Sequence, residues 1–126
     1  AKVEAAAPSI EDVGLDLQPG AATVVVAYGI TAASAQEAVQ IARREGQPVS
    51  LAIVRSLWPL PEAALARALE GARRVVVPEL NLGQLRPEIE RMAAGRCEVV
   101  GIHRVDGELI EPDRILGAIL RADTHR

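Results

Sequence analysis

The run Thr23-Val-Val-Val-Ala-Tyr28 is continuously apolar and rich in β-branched side chains. A strand with water on one face alternates polar and apolar residues, whereas an unbroken apolar run needs cover on both faces. The chain must therefore supply helices for both sides of a sheet. Gly29 ends the run and Thr31 is placed to cap a helix behind it. On that helix Ala35, Ala38, Val39 and Ala42 recur at helical spacing, with Gln36, Glu37, Gln40 and Arg43 opposite. Arg43 and Arg44 fall in its last turn, where cations complement the helix dipole, and Gly46 supplies the left-handed residue that ends it.

The same unit recurs. Pro48 to Val54 reads as a second strand, followed by a helix over 61–70 that Pro61 opens and Gly71 closes. Arg73 to Glu79 is a third strand, with Val75-Val76-Val77 at its centre. The third helix ends before Gly95 and contains Pro87. Proline lacks an N–H and fits only a first turn, so this helix either starts near Gln84 or is kinked in its first turn. Arg96 to Ile102 is a fourth strand, and Pro112 opens a last helix whose buried face carries Ile115, Leu116, Ile119 and Leu120. Strand then helix, four times, predicts a three-layer α/β/α, doubly wound fold. Its sheet is mostly parallel, of 4–5 strands, with room for one antiparallel edge strand. The link from His103 to Glu111 carries the turn signal Asp106-Gly107 and is where a short hairpin or an edge element running against the rest is expected. Residues 1–21 lack periodicity and read as a linker or the end of a preceding domain, with one short extended piece at 13–17. Residues 22–122 form the domain and 123–126 a tail.

Composition narrows the function classes. Aromatics are confined to Tyr28 and Trp58, so the core is aliphatic and there is no platform for stacking single-stranded bases. With 14 cations against 17 anions the net charge is −3, which argues against nucleic acid as a partner. No apolar run is long enough to span a membrane and no signal peptide is visible, so a cytoplasmic location is expected by default. Cys97 is single and cannot form an internal disulfide; it reads as a small buried residue of the fourth strand.

In open α/β sheets, ligands and partners meet the loops beyond the carboxyl ends of the strands. The candidates here are Gly29, Ile30 and Thr31 after the first strand, then Ser56, Trp58 and Pro59 after the second. After the third come Glu79, Asn81, Gly83 and Gln84. Trp58 reads as a hydrophobic plug over the sheet end, as an anchor in a protein interface or, third, as a stacking surface for a small molecule. Asn81 is suited to cap the next helix and Glu79 to accept hydrogen bonds from neighbouring loops. The alternative for both is contact with another domain or a cofactor. Dinucleotide, phosphate-loop, zinc-protease and nucleophile-elbow motifs are absent. No catalytic, cofactor-binding or metal-binding residue is assigned.

Residues 23–120 nevertheless resemble a known family. The carrying segments are Val26-Ala27-Tyr28-Gly29 with Ala33, Ser34 and Ala38; Leu57-Trp58-Pro59-Leu60-Pro61; and Val75-Val76-Val77-Pro78-Glu79-Leu80-Asn81-Leu82-Gly83-Gln84. Asp106-Gly107 and Pro112 also fit. Together they resemble the transketolase carboxyl-terminal-like domain at the end of the alpha subunit of 2-oxoglutarate-type 2-oxoacid:ferredoxin oxidoreductases. The resemblance implies a parent enzyme that decarboxylates a 2-oxoacid, forms an acyl-CoA and passes electrons to ferredoxin. That enzyme would use thiamine diphosphate, Mg, CoA and iron–sulfur clusters, all held outside this domain. The Gly-Asp-Gly diphosphate signature and the glutamate-bearing pyrimidine domain are absent here. Implied partners are the other domains of the alpha subunit, a beta subunit carrying the diphosphate-binding domain, and ferredoxin through the parent enzyme. The domain's own expected role is structural assembly, with the isolated chain inactive. Pro87 departs from the family pattern, which continues the helix at that point. Two rival readings stand: a free-standing small-ligand or nucleotide-binding domain, with an anion at the start of the third helix, and the matching domain of a transketolase or 2-oxoacid dehydrogenase component.

Overall fold

The computed structural model describes residues 13–55, 61–80, 85–104 and 110–124. Strand β2 (Thr23–Tyr28) is buried from Thr23 to Ala27 and lies at the centre of a five-stranded sheet. The strand order is β1-β3-β2-β4-β5, with β1 Val13–Asp16, β3 Val49–Val54, β4 Arg74–Leu80 and β5 Glu98–Arg104. β2 pairs in parallel with β3 and with β4, and β4 pairs in parallel with β5. Helices α1 (Ala32–Arg44), α2 (Glu62–Leu69), α3 (Leu85–Ala93) and α4 (Pro112–Thr124) make the crossovers and the outer layers.

The unbroken apolar run of β2 serves two cores at once. Val25 and Ala27 pack with Ala35, Ala38, Val39 and Ala42 of α1 and with Ile115, Ala118 and Ile119 of α4. Val24 and Val26 turn to the other face and meet Ala64, Leu65 and Ala68 of α2 and Leu85 and Ile89 of α3. Period-two alternation thus divides one strand between two apolar layers, which is the physical content of a doubly wound sheet. The α1 stripe is mostly alanine, which places that helix close to the sheet.

The helix ends follow their sequence signals. After α1, Gly46 takes φ +86, Gln47 N–H donates to the Ala42 carbonyl at 2.9 Å and Gly46 N–H to the Arg43 carbonyl at 3.0 Å. This doubly bonded ending is the Schellman arrangement. α2 starts at Glu62, one residue later than expected, because Pro61 has ψ 76, outside the helical range. α3 starts at Leu85, which puts Pro87 in its first turn, where no N–H is needed. On α4, Ile115 and Ile119 are buried as expected, while Leu116 and Leu120 are half-buried and Ala118 takes a core position.

The antiparallel strand is β1, the short extended piece expected at 13–17 within the segment read as a linker, and it pairs with β3 in the register Val13↔Val54 to Asp16↔Leu51. The antiparallel element was expected instead between His103 and Glu111, of which residues 105–109 lie outside the described residues. The hold on β1 comes from side chains distant in sequence. The Arg43 guanidinium donates to the Val49 carbonyl at 2.7 Å and to the Asp16 carbonyl and carboxylate, each at 3.1 Å. Gln18 N–H donates to Ser50 Oγ at 2.9 Å, and Val49 N–H donates to Gln18 Oε1 at 3.1 Å. Among the described residues no helix is long and apolar enough to cross a membrane.

Candidate functional site at the switch point of the sheet

From β2 the chain moves to β3 on one side, then crosses back to β4 on the other. The winding direction reverses between β2 and β4, so the crevice at their carboxyl ends is where an open α/β sheet places its ligand or partner. Gly29, Ile30 and Thr31 leave β2 at this seam as one 3-10 turn. Gly29 has φ +71, and a Cβ there would meet nothing within 4 Å, so the glycine answers a backbone need and not a steric one. Tyr28, just before it, is 37% exposed.

The ladders on the two sides of the seam are of unequal length. β2 pairs with β3 up to Tyr28↔Val54, and β4 pairs with β5 up to Leu80↔Arg104, yet β2 pairs with β4 only from Thr23↔Arg74 to Val25↔Val76. Pro78 explains the early end. Its carbonyl faces β2, since Thr31 Oγ1 donates to it at 3.1 Å. In an extended strand the N of the same residue faces the same neighbour, and in proline it carries no hydrogen. The rung that residue 78 would make to β2 is missing.

Thr31 was expected to cap α1, and it does not. Its backbone is already helical, at φ −77 and ψ −8, and its side chain makes no capping bond. A capping residue is extended and accepts from helix N–H groups. Here the 3-10 turn feeds straight into the helix, and the hydroxyl points back to the sheet. It is 2% exposed and lies 3.0 Å from the Tyr28 carbonyl and 3.1 Å from that of Pro78, so one proton is shared between two acceptors.

Glu79 lies within β4, opposite His103 of β5, so the strand extends to Leu80 before the loop begins. Ser56, Trp58 and Pro59, and likewise Asn81, Gly83 and Gln84, lie outside the described residues. The structure thus brings together Gly29, Ile30, Thr31 and the strand end at Glu79. Sequence reasoning missed the function of Pro78, although a proline inside an apolar strand is itself a signal that a ladder stops.

Cys97 precedes β5 and is half-buried, a correction to its expected place inside the strand: the ladder begins only at Arg74↔Glu98. It lines an open groove of about 570 Å³ with Arg67, Met92 and Arg96, at the sheet end opposite the switch point. Burial pushes its thiol above the ordinary value, against the lowering effect of Arg96. Among the described residues no group of three His, Cys, Asp or Glu side chains is placed to hold a metal ion.

This architecture, four parallel strands and one antiparallel edge strand between two helical layers, is the transketolase carboxyl-terminal-like fold. It matches a 2-oxoglutarate:ferredoxin oxidoreductase from Magnetococcus marinus with a TM-score of 0.76 at 23% identity, covering 86% of this chain and 19% of that one. It matches a split-gene transketolase, an inactive beta4 tetramer, with a TM-score of 0.70 at 22% identity, over 88% of this chain and 41% of the other. Residues 21–115 match the family described as pyruvate:ferredoxin oxidoreductase core domain II, and the chain belongs to that family. Among its relatives, the 2-oxoglutarate synthase subunit KorA of Methanothermobacter marburgensis is 36% identical over 110 residues, 84% of this chain and 29% of that protein. The ketoisovalerate oxidoreductase subunit VorB of Methanothermobacter thermautotrophicus is 38% identical over 96 residues, 76% of this chain and 27% of that protein. The chain therefore spans less than a third of the length of these curated relatives.

Proposed function

We propose that this chain is the assembly domain of the alpha subunit of a 2-oxoacid:ferredoxin oxidoreductase. The parent enzyme would decarboxylate a 2-oxoacid oxidatively, conserve the acyl group as a CoA thioester and deliver two electrons to ferredoxin. The observation that carries this reading is the alignment with the 2-oxoglutarate synthase subunits, 36% identical along 84% of this chain.

Thiamine diphosphate would bring its own magnesium ion, a hard cation that takes carboxylate and other oxygen ligands. The described residues present no such cluster. The buried Thr31 hydroxyl at the switch point is spent on two main-chain carbonyls. Among the described residues no donor set fits the cofactor, and no chemical step is assigned to them. The domain's contribution would be a carboxyl-terminal edge, built from residues 29–31 and the end of β4, against which neighbouring domains and a beta subunit carrying the diphosphate site would dock. The similarity of this domain to subunits of both a 2-oxoglutarate and a ketoisovalerate enzyme supports a reading in which substrate choice is made elsewhere in the parent enzyme.

Co-expression tests this. The affinity-tagged chain should retain the remaining alpha-subunit segments and the beta subunit through purification. Only that assembly should reduce a viologen dye with 2-oxoacid and CoA. Turnover by the chain alone, supplied with thiamine diphosphate, magnesium and CoA, would sink the proposal.

A further inference from the structure

We propose that Thr31 is a positioning residue. Its hydroxyl latches the carboxyl end of β4 to β2 where Pro78 withholds a rung, and so fixes the end of β4 relative to β2. The sheet on one side of the seam, β1-β3-β2, is paired up to Tyr28↔Val54. On the other side, β4-β5 is paired up to Leu80↔Arg104. Between them no rung forms beyond Val25↔Val76, because residue 78 has no N–H to give. Two well-paired half-sheets therefore lose the Pro78 N–H from their shared end, and a buried hydroxyl reaches across it over 47 residues of sequence to the Pro78 carbonyl.

The alternatives for this hydroxyl are weaker. It caps nothing on α1. Its bond to the Tyr28 carbonyl is local, the back-bonding common to threonine at a helix start, and by itself would not need burial. The bond to Pro78 is the one that joins distant elements. A side-chain latch differs from a backbone rung in that it opens by rotation of one torsion, with no change in strand geometry. The proline and the threonine are thus complementary: one removes a fixed rung, and the other supplies an openable bond in nearly the same place. The functional weight of that position rests on the assembly reading given above, in which this edge docks neighbouring domains.

The test is amide hydrogen exchange on the full chain, with Thr31→Val, Thr31→Ser, Pro78→Val and the double variant Thr31→Val/Pro78→Val. Thr31→Val keeps shape and loses the hydroxyl. It should speed exchange at Glu79, whose N–H lies on the β5 side of the strand end, about ten-fold, as expected when one hydrogen bond is lost from a local opening equilibrium. Val75 and Val76 should stay at the wild-type rate. Thr31→Ser should restore the slow rates. In the Pro78→Val background the returned N–H re-forms the rung, so adding Thr31→Val should have less than about a two-fold effect, a coupling that a merely structural threonine would not show. If Pro78→Val does not fold, Pro78→Ala returns the same N–H with a smaller side chain. Unchanged exchange in Thr31→Val, an equal rise in both backgrounds, or failure of serine to rescue each overturns the latch. Failure of the chain to retain its partner subunits instead overturns the assembly reading and leaves these exchange rates as they are.

Discussion

The Arg43 guanidinium lies 2.7 Å from the Val49 carbonyl oxygen and reaches Asp16 with the same planar group, so one side chain ties the end of α1 to the start of β3 and to edge strand β1. The arginine is 24% exposed and the aspartate 59% exposed. The two halves of the clamp should therefore differ in strength. Arg43→Ala removes charged donors from the carbonyl of the buried Val49 and should cost about 1.5–3 kcal/mol. Asp16→Asn breaks a surface ion pair and should cost less than about 1 kcal/mol. Urea unfolding of the two variants checks the order. A larger loss from Asp16→Asn would contradict it.

Ala94 ends α3 with φ 50, and Gly95 follows at φ 79. Only the second of these left-handed positions carries the residue suited to it. Ala94→Gly should relieve strain and raise stability by up to about 1 kcal/mol, partly offset by the greater freedom of glycine in the unfolded chain. Gly95→Ala should lower stability by a similar amount. Thermal unfolding of both variants would show shifts of opposite sign.

Cys97 should react slowly with alkylating agents in the folded protein. Its thiol is held above the ordinary value of 9.0 by partial burial, and the thiolate is the nucleophile. At neutral pH the folded chain should be modified more slowly than the urea-unfolded chain. The rate should keep rising as pH passes 9.0. A plateau reached well below that pH would contradict the assignment.

The relatives in 2-oxoglutarate and ketoisovalerate enzymes share this domain at 36% and 38% identity to the present chain. Exchanging the domain between two such enzymes should therefore leave the order of substrate preference unchanged. The measurement is kcat/KM for each 2-oxoacid in the chimeric enzyme. A reversal of preference would move specificity into this domain.

Much of the fold is legible in the residues, because its signals are local. The burial of Ala35, Ala38, Val39 and Ala42 follows from helical spacing, and the end of α1 follows from Gly46. The pairing of β1 with β3 is not legible in the same way. It depends on Arg43, which is 27 residues from Asp16, and on Gln18, which is 31 residues from Val49. Neither partner announces itself by periodicity. The candidate site shows the same division. Gly29 marks the turn, whereas a threonine at the head of a helix looks alike whether it caps the helix or reaches back to another strand. Only the crossing of β4 beside β2 decides between them.

Val24 and Val25 are neighbours in the chain, yet one faces the layer of α2 and α3 and the other the layer of α1 and α4. The sheet between those layers is an insulating wall: a void opened on one side cannot be filled by atoms from the other. Loss of methyl groups at the two positions should therefore be additive in free energy despite their covalent adjacency. Losses at Val25 and Val39, far apart in sequence but within one layer, should be coupled. For this domain, distance along the chain is a poor guide to which substitutions compensate one another, and membership of a layer is the better one.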